Sequence, residues 1–231
     1  MSRLTGMQSH AGPGRSRRSY DQFCALARAL DSVGDRWTLL IVRELLAGPR
    51  RYTDLHADLP GVSTDMLAAR LKHMEAEGLA ERRRQPRPAT GHVYELTARG
   101  RTLLPALTAL AAWGAPALGK PRPTDAVRAH WWALPLRDAV RRALAGEGSG
   151  HVDVLLPEGA FHLWLGEPDA TDAGSVYAEG PAPGGAAVRL ELDADACAAL
   201  ADGSLTLVDA VRTGTVRVAG SGRRARKLRG E

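Results

Sequence analysis

Few cysteines, few aromatic residues and no long hydrophobic run set the first limits on this chain of 231 residues. Cys24 and Cys197 belong to no CxxC pair or Cys/His cluster, which argues against a disulfide scaffold or a structural zinc site and fits a reducing cytoplasm. No apolar run approaches the roughly 20 residues that span a bilayer, and the N-terminus lacks the apolar core of a signal peptide. We therefore expect a cytoplasmic protein without a membrane partner.

Motifs that carry chemistry are also missing. The seven histidines are scattered without the spacing of metal ligands, and the sequence has neither a Gly-rich phosphate loop nor a nucleophile elbow. The sequence predicts no catalytic residue, no metal site and no cofactor, so we do not expect an enzyme.

Charge is distributed unevenly along the chain. Residues 1–120 hold 18 Lys and Arg against 11 Asp and Glu, residues 121–220 hold 8 against 14, and the last eleven residues hold 5 against 1. A basic front half favours a nucleic-acid partner, because Lys and Arg release the counterions condensed on phosphates, although a solubilising surface has the same composition. Residues 1–19 are rich in Ser, Gly and Arg and predict a disordered basic arm, and residues 221–231 predict a basic tail.

Apolar periodicity predicts two helices at the start of the front half. Ser19 and Gln22 can form a capping box for the first helix, which ends at Gly34, and Asp35 can cap the second, which ends at Gly48. Their apolar faces hold Phe23, Leu26, Ala27 and Leu30 in the first helix and Trp37, Leu40, Ile41 and Leu45 in the second.

Two further helices are predicted on either side of a Pro60-Gly61 turn. The third helix covers residues 53–59, and the fourth begins after Ser63 as N-cap, with Leu67, Leu71 and Met74 facing inward and Gly78 at its end. A capped second helix with a polar outer face is what a helix-turn-helix requires for insertion into the major groove, although an ordinary helical hairpin has the same pattern.

A hairpin and one more helix complete the front half. Residues 79–83 and 92–96 can pair as strands around a loop with Arg84 and Arg87, flanked by Arg82 and Arg83, so that the hairpin tip can reach phosphates beside the recognition helix. Thr97 can cap the last helix, which Pro105 kinks or restarts. Its apolar strip predicts dimerisation, together with the first helix, through Leu103, Leu104, Leu107, Leu110 and Trp113.

The sequence pattern of the rear half predicts an α+β domain. After a Pro-rich linker at residues 119–124, we expect a helix over 124–144 that is interrupted near Pro135, and strands at 151–157, 161–165 and 187–193. Helices at 194–200 and 205–211 and a last strand at 215–219 follow. The predicted domains are therefore residues 20–118 and 125–220.

The front-half motifs GPRRYTDL at 48–55, GVSTDML at 61–67, EGL at 77–79 and YELT at 94–97, together with residues 24–45, closely resemble the HxlR-type transcription regulators. The resemblance extends from Tyr20 to Gly114. It implies a mostly α winged helix-turn-helix domain with a β-hairpin wing, in a homodimer that binds double-stranded DNA at an operator with inverted symmetry.

The resemblance also implies which residues touch DNA. Base contacts are expected at the start of the recognition helix and phosphate or minor-groove contacts in the wing. The DNA-binding residues are expected to be Arg50, Arg51, Ser63, Thr64, Asp65, Met66, Arg70, Arg84, Arg87 and His92. Asp65 can accept from a cytosine amino group or favour the helix N-terminus. Cys24 lies where some family members carry a redox-active thiol, and Arg28 one turn later favours the thiolate, but a packed structural cysteine is the commoner role.

The rear half resembles the sterol carrier protein type-two-like domain through VRLELD at 188–193, LADGSLTL at 200–207 and AVRTGTVRVAG at 210–220. That fold often encloses an apolar pocket for a lipid-like ligand. The residues expected in its wall are Trp131, Trp132, Phe161, Trp164 and Tyr177, each of which can equally be plain core.

These patterns together predict a homodimeric DNA-binding regulator, a repressor, that a small apolar ligand in the rear domain controls. Two alternatives stay open: control by oxidation or alkylation of Cys24, and a lipid carrier whose winged helix serves only protein association.

Overall fold

The computed structural model describes residues 19–85, 88–166 and 175–231. It divides into two compact units, Met1–Asp35 and Arg36–Glu231. Most of the predicted basic arm and Arg87 of the predicted wing lie outside the described residues.

The first unit holds one helix, α1 (Ala25–Val33), within its described part. It ends at Gly34 as predicted, but it begins after Cys24 and not at Ser19. The Ser19 hydroxyl donates to Asp31 over 3.2 Å and accepts from the amide of Asp21, whose φ of 52° is left-handed and cannot continue a helix. The predicted capping box at Ser19 was therefore wrong.

The front of the second unit consists of helices and one hairpin. Its elements are α2 (Thr38–Leu46), α3 (Tyr52–Asp58), α4 (Thr64–Ala76), β1 (Ala80–Arg84), β2 (His92–Leu96), α5 (Ala98–Arg101) and α6 (Leu104–Gly114). The expected cap of α2 at Asp35 is wrong, because the N-cap position is Trp37 and its side chain makes no capping bond. The core of this region contains the predicted Ile41, Leu45, Leu67, Leu71 and Met74, all buried.

The last predicted front-half helix is split as expected. The Thr97 hydroxyl accepts from the amide of Gly100 to cap α5, and Pro105 lies in the first turn of α6, where a missing N–H breaks no helical bond. Gly100 packs so closely on the Leu79 carbonyl that a Cβ would lie 2.0 Å from its oxygen, so only glycine fits there.

The rear half of the second unit is an α+β arrangement. A 3₁₀ turn (Ala129–Trp132) leads into α7 (Ala133–Ala143), and strands and helices follow in the order β3 (His151–Leu156), β4 (Gly159–Trp164), β5 (Tyr177–Glu179), β6 (Arg189–Glu191), α8 (Ala194–Asp202), α9 (Leu207–Arg212), β7 (Arg217–Ala219) and α10 (Arg223–Arg229). The five strands form one sheet in the order β5-β4-β3-β6-β7, with β3 and β6 parallel and the other pairs antiparallel.

Two rear-half predictions need correction, and one strand was missed. The helix expected over 124–144 begins only at Ala133, which leaves Pro135 in its first turn, where proline is tolerated. The short strand β5 was not predicted. The expected basic tail folds as α10, because Ala225 and Leu228 on one side of this helix are buried while its Arg and Lys side chains reach solvent.

Candidate nucleic-acid interface

The turn between α3 and α4 is held by three local features. Gly61 has a φ of +85°, which glycine adopts without strain. The Tyr52 hydroxyl of α3 donates to the Thr64 carbonyl over 2.7 Å, and the Ser63 hydroxyl accepts from the Met66 amide over 3.2 Å as the N-cap of α4. The start of α4 is therefore fixed to α3.

The outer face of α4 is polar and open. Thr64, Asp65 and Met66 are exposed at its first turn, while Leu67, Leu71 and Met74 are buried beneath it. Asp65 also lies where a negative charge stabilises a helix N-terminus. Arg70, expected at the same surface, is only half-buried and so keeps part of its side chain in solvent.

The hairpin beside α4 carries the predicted arginines. β1 and β2 pair antiparallel, with Arg84 opposite His92 and Arg82 opposite Tyr94. One face of the hairpin presents Arg82 and Arg84, and Arg82 lies 3.2 Å from Nδ1 of His92. Arg83 on the other face donates two hydrogen bonds to Glu95, of 2.7 and 3.0 Å, so its charge is neutralised. Arg82 therefore belongs to the basic face, a residue that the sequence-based site omitted.

Arg51 connects α3 to the hairpin. Its backbone amide donates to Asp54, and its Nε donates to the side chain of Gln85 over 3.2 Å. The hairpin is also joined to the segment before α3, because Arg50 and Tyr94 exchange two backbone hydrogen bonds of 2.9 and 2.8 Å. These bonds, with the Tyr52–Thr64 bond described above, link the N-terminus of α3, α4 and the hairpin to one another.

Arg50 does not join this surface. Its guanidinium donates to Glu179 of β5 over 2.7 Å, and its side chain is only 16% exposed. Burial lowers the pKa of Arg50, but the hydrogen bond that it donates to Glu179 and the charges of Glu179, Glu44 and Asp58 together raise it, so the ion pair is charged. Because its charge is neutralised inside the protein, we remove Arg50 from the expected DNA contacts.

A buried polar cluster joins the front elements to the rear half. Glu44 of α2 is completely buried and accepts hydrogen bonds from Arg43 (2.7 Å), His130 (2.8 Å) and the indole of Trp131 (3.0 Å). Burial raises the pKa of Glu44, but the bond from His130 and the charge of Arg43 lower it by more, so the carboxylate is ionised. We call these four residues and Glu179 the Glu44 cluster.

Two more contacts complete this junction. His130 Nδ1 lies 3.3 Å from the carboxylate of Glu179, and the Tyr177 hydroxyl donates to the backbone carbonyl of Arg43. Burial raises the pKa of Tyr177, which therefore stays protonated as a donor. Sequence reasoning missed this junction because its partners are far apart in the chain.

The same region contains the atoms of a cation site. Within the described ranges, ligand atoms of Glu44, Asp58 and His130 lie within 4.8 Å of one another. Guanidinium groups already bind both carboxylates, Arg43 at Glu44 and Arg128 at Asp58 over 3.4 Å. These guanidinium groups supply the positive charge that a metal ion would otherwise supply to the two carboxylates. We therefore assign no metal to the cluster.

The five aromatic residues expected in a ligand wall are not brought together. Phe161 and Tyr177 are completely buried in the core, and Trp164 packs beside His151 with 4.9 Å between ring centres. Trp131 and Trp132 instead line an open groove of about 1120 Å³ between α2, α6 and α8.

Cys24 is exposed at the N-cap position of α1, and Cys197 is buried; both are free thiols. The Arg28 guanidinium, expected to act on Cys24, lies 3.6 Å from the carboxylate of Asp31. Burial raises the pKa of Cys197, which favours its unreactive protonated form.

No helix in the described ranges has both the length and the apolar character needed to cross a bilayer.

A capped helix beside a basic hairpin defines a winged helix-turn-helix domain. The sequence profile of the HxlR-like helix-turn-helix family matches residues 32–121. The HTH-type transcriptional regulator YvaP of Bacillus subtilis is 37% identical over 86 residues, which are 37% of this chain and 80% of YvaP. The chain belongs to the HxlR-like family.

Two further proteins are similar to part of this chain. An HTH-type transcriptional regulator of Synechocystis is 38% identical over 87 residues, 38% of this chain and 64% of that protein, so the chain spans just under two thirds of its length. The structure of the reduced transcriptional regulator YodB from B. subtilis is similar with a TM-score of 0.37 and 30% identity, covering 45% of this chain and all of YodB.

Proposed function

We propose that this protein is a sequence-specific regulator of transcription that binds double-stranded DNA through α4 and the hairpin. The observation that supports this most directly is the capped, exposed first turn of α4 fixed beside the basic face of Arg82 and Arg84. A helix N-terminus can approach base edges, and flanking arginines can hold the phosphates on either side. We propose that Ser63, Thr64, Asp65 and Met66 contact base edges, and that the DNA backbone is bound by Arg51, Arg70, Arg82, Arg84, Arg87 and His92.

The acting form is a homodimer on an inverted-repeat operator. In the second unit, α6 buries Leu104 and Leu107 but leaves Leu110 and Trp113 exposed, the latter by 83%. In the first unit, Leu26 and Leu30 of α1 are exposed, and so is Phe23 just before the helix. Large apolar side chains clustered on a helix surface are typical of protein interfaces. A two-fold dimer would present two copies of α4 to two half-sites.

The rear half is proposed as a sterol-carrier-like regulatory domain, and the protein as a repressor. The Glu44 cluster supports control from the rear half, because a change at His130 or Trp131 acts directly on Glu44 of α2, and a change at Glu179 acts on it through His130. A ligand can shift DNA affinity only if it binds the DNA-competent and the incompetent states differently.

Salt-dependent binding to the DNA upstream of its own gene tests this proposal. Fluorescence anisotropy should show saturable binding that a scrambled duplex competes for poorly, and log K should fall linearly with log salt concentration. Equal affinity for the scrambled duplex would contradict sequence-specific regulation and favour a lipid carrier whose winged helix serves only protein association.

Control through Cys24 is a second candidate, favoured by the exposure of this thiol on α1. Under this proposal, oxidants or electrophiles release the wild-type protein from DNA but leave the Cys24→Ser variant bound. Cys197→Ser is the control, since the buried Cys197 should react slowly in either case. Release of the Cys24→Ser variant by the same reagents would exclude this role.

A further inference from the structure

We propose that the groove lined by Trp131 and Trp132 binds an amphipathic organic anion, a molecule with an apolar or aromatic body and one acidic group. This inference rests on the proposed regulation by a small ligand and deepens it, since it gives the ligand a place and a charge. The groove differs from the pocket expected in the rear domain, because Phe161 and Tyr177 of the expected wall are completely buried and do not line it.

The size and walls of the groove suit a small molecule. Its volume of about 1120 Å³ is close to that of sites for drug-sized ligands. Indole rings of Trp37, Trp131 and Trp132, each half-buried, form its apolar wall, and Ala194, Ala198 and Ala201 of α8 form a smooth opposite side. Half-buried aromatic rings offer flat apolar area at a small cost in side-chain entropy.

The charges of the groove favour an anion. Its lining includes five basic side chains and three acidic ones: Arg36, Arg43, Lys120, Arg122 and Arg128 against Asp58, Asp125 and Asp195. Arg122 and Arg128 are neutralised by Asp125 and Asp58, and Arg43 by Glu44. Among residues that the structure describes, Arg36 and Lys120 lie in no ion pair, and Arg36 lies over the ring of Trp37 with 5.5 Å to its centre. Of the three acidic residues in the described lining, Asp195 is the one that the structure does not pair with an arginine.

A ligand in this groove would act on the DNA-binding elements through α2. The Arg43 guanidinium lies over the Trp131 ring at 4.4 Å, and the Trp131 indole donates to Glu44, the neighbour of Arg43 on α2. An acidic group that draws Arg43 or Trp131 toward the groove therefore changes the bonds of a buried carboxylate. This gives the ligand different contacts in two states of the protein, which regulation requires.

Two fluorescent probes of similar shape test the proposal on the full chain. 1-Anilinonaphthalene-8-sulfonate carries a sulfonate, and N-phenyl-1-naphthylamine is neutral. We expect Arg36→Gln with Lys120→Gln to weaken the anionic probe about tenfold and to leave the neutral probe unchanged. Trp132→Ala should weaken both probes. The charge-matched control is Arg189→Gln with Arg217→Gln, two exposed arginines on β6 and β7, which should change neither.

The outcomes separate this inference from the proposed function. Because Arg36 and Lys120 are exposed, their double variant should fold even if Trp132→Ala does not. Equal affinity of both probes for the wild type, or no loss of the anionic probe in the Arg36/Lys120 variant, overturns the inference. DNA affinity measured on the same samples without probe is the separate readout: intact specific DNA binding with failed probe binding leaves the regulator and removes only this site.

Discussion

Nε2 of His130 lies 2.8 Å from a carboxylate oxygen of Glu44, and the two residues are 4% and 0% exposed. They come from opposite halves of the chain, and the other ring nitrogen of His130 faces Glu179. A buried carboxylate without its partners costs several kcal/mol, so this pair holds α2 and the 3₁₀ turn of the rear half in one arrangement.

A double-mutant cycle should reveal this coupling. His130→Phe and Glu44→Leu should each lower the free energy of unfolding by about 3 kcal/mol, because each leaves the other partner buried without its bond. In the double variant the losses should fall short of additivity by about 2 kcal/mol, as measured by urea denaturation. Tyr177→Phe is the milder control, with a loss of about 1 kcal/mol. Additive losses would show that the pair is not coupled.

Acid should weaken the protein through the same cluster. The pKa of Glu44 lies below its ordinary value of 4.5, so the folded state binds fewer protons at Glu44 than the unfolded state does. Its contribution to stability is therefore complete above pH 4.5 and is lost as the pH falls below that value. Urea titrations from about pH 7 to about pH 3 should show that the free energy of unfolding decreases less steeply with falling pH for Glu44→Gln than for the wild type. An equally steep decrease in both proteins would contradict the assignment of this pH dependence to Glu44.

Arg82→Gln with Arg84→Gln should weaken DNA binding in a manner that depends on salt. If both side chains touch phosphates, the slope of log K against log salt should become shallower by about 2. Anisotropy titrations at several salt concentrations measure the slope. Arg189→Gln with Arg217→Gln removes the same charge from the rear sheet and should leave the slope unchanged. An unaltered slope in the Arg82/Arg84 variant would remove the hairpin from the interface.

Ser63 should show separate effects on folding and on DNA. Ser63→Ala removes the acceptor for the Met66 amide and should lower stability by about 1 kcal/mol. Ser63→Asp keeps an acceptor, so its melting temperature should stay near that of the wild type, while its charge should repel phosphates and weaken DNA binding. Thermal melts and anisotropy on the same samples measure both. Full DNA affinity in the Ser63→Asp variant would place Ser63 outside the interface.

Leu110→Asp should separate the proposed dimer. Because Leu110 is 50% exposed, a charge there should cost little within one chain but much within an apolar interface. Light scattering after gel filtration should show the mass of one chain, and operator affinity should fall with it. Val208→Asp, at a 54% exposed position of α9, is the matched control and should remain dimeric. A dimeric Leu110→Asp variant would move the interface elsewhere.

Local signals predicted the helix-turn-helix because its determinants are close in sequence. Ser63 caps the helix that follows it, Gly61 makes the turn, and Leu67, Leu71 and Met74 repeat at helical spacing. Gly78 and Thr97 likewise act within a few residues. The sequence therefore predicted the helices and the hairpin of the front half, apart from the cap residues of α1 and α2.

Long-range partners explain what the sequence could not predict. The sequence predicted the same DNA-contacting role for Arg50 as for its neighbour Arg51. In the structure, Arg50 instead donates a hydrogen bond to Glu179, which lies 129 residues later in the chain. His130 fitted no motif because Glu44 is 86 residues away. The helix α10 was hidden by its basic composition, since only Ala225 and Leu228 face the core. Such pairings depend on tertiary packing, which a local pattern does not contain.

The dependence of Glu44 on His130 and Trp131 also has a consequence for protein synthesis. While the ribosome has made only residues 1–118, the Glu44 carboxylate has its partner Arg43 but not yet His130 and Trp131, because these two come later in the chain. Tyr177 and Glu179, which bond to Arg43 and Arg50, emerge later still. The helix α2 therefore acquires its bonds to His130, Trp131 and Tyr177 only after the strand β5 has been synthesised. A fragment truncated at Leu118 would lack these bonds.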